Sequence, residues 1–158
     1  MKATMLTLIL FFTSLYFCSC SEHRYPRVLL TADSLAQTSP DSALSLLKQL
    51  KDSIGREPEE TRMYYHLLRI KAQDKAYIAH TSDSLVRQVV RYYRKHKDPK
   101  LLPEALYYAG RVYRDLGDAP QALEYFQRAI EAAKGSTNHK LLSLMYSQTG
   151  MLSLSRHL

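Results

Sequence analysis

The chain has 158 residues, 46% hydrophobic and 23% charged, with five Gly, six Pro, two Cys and a formal net charge of +7. That balance excludes a collagen, a disordered tail and a polytopic membrane protein, and two cysteines cannot frame a disulfide scaffold. Twelve Tyr stand against no Trp, so aromatic packing has to be built largely from tyrosine.

Lys2 is the only charge in the first nineteen residues, and Met5 to Phe17 is an uncharged apolar run of thirteen. A spanning helix needs roughly 20 apolar residues. A basic start and a shorter run fit a secretory signal peptide, assigned to 1–19. The run closes on Cys18-Ser19-Cys20 before the polar Ser21-Glu22. A cysteine behind a small residue at that point resembles the lipobox of bacterial lipoproteins, which makes Cys20 the acylated residue. Cys18 is the weaker candidate because bulky Phe17 precedes it, and two incidental apolar cysteines are the alternative. With Cys20 lipidated and Cys18 removed, no free thiol remains for nucleophilic, redox or thiolate–metal chemistry. Residues 20–24 then form a tether. The implied location is the bacterial cell envelope, anchored to a membrane (the outer one expected), with the periplasmic and surface faces both open.

From Tyr25 onward apolar residues recur at three- and four-residue spacing with no convincing strand. Helices are expected over 25–37, 41–52, 58–76, 82–97, 101–116, 119–133 and 139–156. Ser39 before Pro40, the Thr81-Ser82-Asp83 cluster and Asp118 before Pro120 offer side-chain oxygens to unpaired helix amides. Gly135 suits the left-handed residue after a helix end.

The clearest repeating unit runs from Ala105 to Ala129. Gly110 inside a helix costs about 1 kcal/mol relative to alanine, so it calls for a packing reason. Ala122 is the matching small residue on the second helix, and their juxtaposition would let the two helices approach closely. Tyr113, Tyr125 and Phe126 would fill the surrounding space, and Gly117-Asp118 makes the turn. Leu106, Ala109, Gly110, Tyr113, Gly117, Ala122, Phe126 and Ala129 resemble the tetratricopeptide repeat, with Leu106 where that motif often has Trp. The repeat-packing set is Gly110, Tyr113, Ala122, Phe126 and Ala129. Neighbouring units share the phase: Ala43, Leu46, Leu47 and Leu50 recur as Val86, Val89, Val90 and Tyr93. The expected fold is therefore all-α, a solenoid of antiparallel helix hairpins without a sheet. Three hairpins and one unpaired helix would span 25–158.

The whole pattern also resembles tetratricopeptide lipoproteins of the Bacteroides type, carried by Ala32-Asp33-Ser34-Leu35, Pro40-Asp41-Ser42-Ala43-Leu44 and His80-Thr81-Ser82-Asp83-Ser84-Leu85. Longer members of that group continue with more repeats, a membrane helix and sometimes a DNA-binding domain. The last helix carries Leu141, Leu142, Leu144, Met145, Met151, Leu152 and Leu154, too many apolar residues for the polar outer face of a capping helix. A front fragment of a longer protein is expected, or a homotypic contact through 139–156.

Chemistry finds no support. Six scattered histidines show no HExxH and no i,i+4 pair, and no metal, cofactor or catalytic residue is assigned. Ser45-Leu46-Leu47-Lys48 spells SxxK without its companion motifs and falls on an amphipathic helix. No phosphate-binding glycine pattern occurs. Arg87, Arg91, Arg94, Lys95 and Lys97 run along one helix with Tyr92 and Tyr93. A solvated outer face comes first for them, then attraction to anionic lipid, then nucleic acid.

In the repeat family a concave surface is lined by fixed first-helix positions. Carried across by phase, these are Arg62, Tyr65 and Arg69, then Glu104, Tyr107, Arg111 and Arg114. Tyr65 with Tyr107, and Arg69 with Arg111, lie forty-two residues apart. Stacked repeats would make them a ladder of aromatic and guanidinium groups facing a protein or peptide, acidic or ending in a free carboxylate. Packing between repeats, or solvent, is the other reading. The functional expectation is an exported, lipid-anchored, non-catalytic scaffold for protein or peptide binding. The alternatives are the sensory front of an envelope-spanning transcriptional regulator, and nucleic-acid or anionic-lipid binding through the basic helix.

Overall fold

The structure is a computed structural model that describes residues 24–155. The signal peptide 1–19, Cys20 and most of the tether fall outside the described residues. The described chain forms seven α-helices and no strand: α1 Arg27–Thr38, α2 Pro40–Gln49, α3 Glu59–Lys75, α4 Ser84–Lys95, α5 Leu101–Asp115, α6 Ala119–Ala132 and α7 His139–Ser155. A 3₁₀ turn, Ile54–Arg56, lies between α2 and α3.

Each expected helix is present, with ends that differ by at most three residues. The largest difference is at α2, which stops at Gln49 rather than 52. There the Ser53 hydroxyl donates to the Leu50 carbonyl at 3.1 Å, satisfying a helix-end acceptor without another turn. The caps follow the sequence only in part. Asp118 accepts from the Gln121 amide at 3.0 Å, but Ser39 spends its hydroxyl on Ser42 at 2.7 Å. In the Thr81-Ser82-Asp83 cluster Ser82 Oγ accepts the Ser84 amide at 3.2 Å, while Asp83 instead accepts the Tyr113 hydroxyl at 2.7 Å. Asp98, unremarked in the sequence, is a strong cap: its Oδ1 accepts from the Lys100 and Leu101 amides at 2.9 and 2.7 Å.

Three helices end alike. The amides of Ile78, Asp98 and Asp118 each reach back to the carbonyl five residues earlier, on Gln73, Tyr93 and Tyr113. This closure needs a left-handed residue before the donor. Gly117 supplies it at φ 78°, whereas Tyr77 and Lys97 are held there at φ 57° and 49°.

Helices α1 and α2, α3 and α4, and α5 and α6 pair as hairpins; α7 packs on α6. First helices also touch one another, α1 on α3 and α3 on α5. The described helices contact near neighbours in the chain, which is how a solenoid is built. Burial follows from position. In α4 only Val86, Val89, Val90 and Tyr93 are buried, one stripe at i, i+3, i+4 and i+7. Helices α3 and α5 are clasped from several sides, so even Tyr65 and Tyr107 are only 2% exposed.

The hairpin of α5 and α6 buries both expected small residues, Gly110 and Ala122, and sets an aromatic ring against the glycine. Ala122 is fully buried, but a methyl carbon at Gly110 would overlap the ring of Phe126. The glycine is a seat for an aromatic ring. Phe126 also lies 5.7 Å from the Tyr107 ring, centroid to centroid. Ala129 is fully buried beside it, and Tyr113 stacks on Tyr125 with centroids 5.1 Å apart.

Candidate functional site

The first helices carry two lines of polar side chains across the repeats. In one, the Lys71 ammonium of α3 reaches Asp33 of α1 at 2.6 Å and Glu104 of α5 at 2.7 Å. Tyr64 donates its hydroxyl to the other Asp33 oxygen at 3.0 Å. Burial works against the charge on Lys71, but the flanking Glu104 and Asp33 carboxylates outweigh it and hold its pKa above that of an ordinary lysine. In the other line, Arg111 Nε of α5 donates to Asp74 of α3 at 2.5 Å, and its Nη1 to Gln148 of α7 at 2.8 Å. Arg114 donates to the same Gln148 oxygen at 3.0 Å and to Asp115 at 3.1 Å. Asp115 in turn accepts the backbone amide of His80 at 3.1 Å and lies 2.8 Å from His80 Nδ1, pinning the connection after α3.

These contacts revise the expected ladder. Tyr65 and Tyr107 are core residues; the Tyr65 hydroxyl donates to the Leu47 carbonyl at 3.1 Å. Arg111 already holds an internal carboxylate, Glu104 an internal ammonium, and Arg114 the Gln148 and Asp115 oxygens. Arg62 donates to the Glu57 carbonyl at 3.0 Å. The physical reason is the close approach of successive first helices, which lets side chains of adjacent repeats meet before any ligand does. Asp33, Lys71, Asp74 and Gln148 escaped the sequence reading. Their signal was available: Lys71 follows Asp33 by 38 residues, Arg111 follows Asp74 by 37, and Gln148 follows Arg111 by 37. Complementary residues one repeat apart mark contacts across a stack.

Arg69 is the member of the ladder that stays open. Its guanidinium carbon lies 5.8 Å from the centroid of the Tyr65 ring. With Leu44, Leu47, Lys48, Lys51 and Gln73 it lines a hollow of about 320 Å³ between α2 and α3. Lys48 and Lys51 are exposed. Among the described residues none of these three cations has a carboxylate partner. Three positive groups over an apolar and aromatic floor suit a carboxylate with an apolar neighbour.

Among the described residues no three His, Cys, Asp or Glu side chains come together in a way that could hold a metal. No described helix is long and apolar enough to cross a membrane.

Antiparallel hairpins stacked first helix on first helix define the class: an all-α helical-repeat protein of the tetratricopeptide-like type. Residues 103–136, most of α5 with α6 and the turn beyond, match the family model of the tetratricopeptide repeat. No curated protein matches the chain, and no solved structure does. Repeats of this family generally mediate protein–protein interaction and are typically non-catalytic.

Proposed function

We propose that this chain is an exported, lipid-anchored scaffold of the Bacteroides lipoprotein type that binds a protein or peptide and performs no chemistry. Its parts are a signal peptide at 1–19, acylated Cys20 with a short tether to residue 24, and the repeat domain at 25–158. The hollow carries the reading: Lys48, Lys51 and Arg69 surround it without a counter-carboxylate, next to the apolar Leu44 and Leu47. The ligand is an acidic segment or a free carboxyl terminus. Glu104, Arg111 and Arg114 serve this site by holding successive first helices in register, through Lys71, Asp74 and Gln148.

Fluorescence anisotropy with peptides ending in a free carboxylate, against their amidated forms, tests the site. The wild type should prefer the free acid, and Arg69→Ala with Lys48→Ala should weaken it about tenfold, or about 1.4 kcal/mol. Equal affinity for both peptide forms in both proteins would sink the assignment. Metabolic labelling with a fatty acid tests the anchor separately: label should enter the wild type and be lost from Cys20→Ser.

A second reading, the sensory front of an envelope-spanning regulator, is favoured by the outer side of α7. Tyr146 is 61% and Met151 53% exposed there, and among the described residues a methyl carbon at Gly150 would meet nothing within 4 Å. That is the seat filled by Phe126 at Gly110, left open to a further helix. Genomic sequence downstream decides it: in-frame repeats with a membrane helix support it, and an immediate stop codon overturns it.

A further inference from the structure

The outer side of α4 is the larger cationic feature, and the carboxylate hollow does not use it. Helix α4 buries its valines and Tyr93 and turns Arg87, Arg91, Arg94 and Lys95 outward. These four, with Val90 and Tyr125 of α6, line an open hollow of about 380 Å³ between the two second helices. Arg87 has Asp83 at 3.6 Å. Among the described residues Arg91, Arg94 and Lys95 have no carboxylate within ion-pair distance. Three adjacent cations left unneutralised on a helix of twelve residues attract an anion.

The aromatic groups beside them argue about its kind. Tyr125 is covered on one side by Tyr113, at 5.1 Å with planes 11° apart, and the Arg128 guanidinium lies over its ring at 5.0 Å. Tyr92 lies against His96 at 4.1 Å. Single-stranded nucleic acid needs free aromatic faces for base stacking, and these rings are already engaged. A spread of exposed cations without a stacking platform suits an array of phosphates on a surface.

The chain path supplies the surface. Arg24, the first described residue, places Nη1 2.7 Å from Asp98 Oδ2, just past the end of α4. Tyr25 is buried behind it, stacked on Tyr64 at 4.0 Å. Cys20 precedes Arg24 by four residues, a span of at most about 14 Å. A membrane holding Cys20 therefore lies within roughly two screening lengths of this end of the fold.

We propose that the cationic face of α4 docks on the anionic lipid surface of the membrane that holds the amino terminus, with head-group phosphates among Arg91, Arg94 and Lys95. The position of that membrane rests on the lipoprotein reading; the affinity of α4 for anionic lipid does not. A polybasic face beside a lipid chain makes a two-signal anchor and fixes the domain's orientation.

The full-length Cys20→Ser chain tests this without acylation at that residue. It is mixed with vesicles of phosphatidylcholine, or of phosphatidylcholine with phosphatidylglycerol, and the bound fraction is read by cosedimentation. The apolar leader contributes to both; α4 should add a preference for the anionic vesicles that salt removes. Arg91→Glu with Arg94→Glu and Lys95→Glu should cut that preference about tenfold or more, with helical circular dichroism and neutral-vesicle binding unchanged. The corresponding Gln variants replace them if charge reversal disturbs folding. A preference that survives in folded variants overturns the proposal. Release from anionic vesicles by inorganic phosphate, beyond that by chloride at equal ionic strength, overturns the surface in favour of one phosphate. Salt-sensitive binding of single-stranded DNA with no vesicle preference also overturns it. Absence of fatty-acid label on wild-type Cys20 would remove the anchor reading and leave the vesicle result standing.

Discussion

The ring of Phe126 occupies the space that a side chain at Gly110 would need. Residues sixteen positions apart on paired helices thus form one joint, buried without solvent access to Phe126. Gly110→Ala should destabilise the fold by about 1–3 kcal/mol through overpacking, read by urea unfolding. Adding Phe126→Leu should cost less than the sum of the two single changes, because the shorter side chain makes room. Strict additivity would show that the glycine and the ring do not form one joint.

Arg111 and Arg69, equivalent in repeat phase, should respond very unequally to truncation. Arg111→Ala leaves the Asp74 carboxylate, with 4% of its side chain exposed, without its cation. Breaking such a buried pair costs about 3–5 kcal/mol. Arg69→Ala should change stability by less than about 1 kcal/mol, since it loses only a partly exposed contact with Tyr65. Thermal and urea unfolding of both variants check this, and similar losses would contradict the division of roles.

Stability should fall on acidification partly through Asp98. Burial raises its pKa, but the amides of Leu101 and Lys100 and the Arg24 guanidinium outweigh burial and hold it below the usual carboxylate value. The native state therefore binds this proton less readily than the unfolded chain. The contribution is fully present above about pH 4 and is lost as pH falls through the depressed native value. Asp115 acts in the same direction, held down against burial by His80 and Arg114. Unfolding free energy measured against pH should decline less steeply below pH 4 for Asp98→Asn than for the wild type, and an unchanged slope would count against it.

Tyr77 sits at φ 57° and is 94% exposed. A left-handed non-glycine residue costs roughly 1–2 kcal/mol, and here almost no packing repays it. Tyr77→Gly should raise the melting temperature by about 2–4 °C, scored by calorimetry. A fall would show that the ring contributes to the native state despite its exposure.

How far the fold could be read depends on the range of each signal. The stripe Val86, Val89, Val90 and Tyr93 repeats along one helix, so α4 and its buried face were visible from spacing alone. So were the α5–α6 hairpin, from Gly117 and the matched repeat positions, and the cap at Asp118. The cap at Asp98 was hidden because Pro99-Lys100 separates it from the apolar run. Within the Thr81-Ser82-Asp83 cluster the cap falls to Ser82, because Tyr113, thirty residues from Asp83, takes its carboxylate.

The candidate site divides the same way. Phase placed Tyr65, Arg69, Tyr107 and Arg111 correctly on first helices, but not their partners. Burial of both tyrosines depends on the helices that flank α3 and α5, and Arg111 meets Asp74 only when two repeats stack. Arg69 stays available because α2 and the turn after it offer Lys48 and Lys51 rather than an acid.

By itself the sequence determined a helical repeat: apolar spacing, turn glycines and repeat phase are local properties that survive without knowledge of any contact. Tertiary structure decided which charges are spent and which remain. Lys71 and Arg111 are neutralised by residues a repeat away, whereas Arg69 with its lysines and the outer face of α4 keep their charge. Ion pairing depends on distance through space, and in a stack of hairpins that distance is set by neighbouring helices rather than by neighbouring residues.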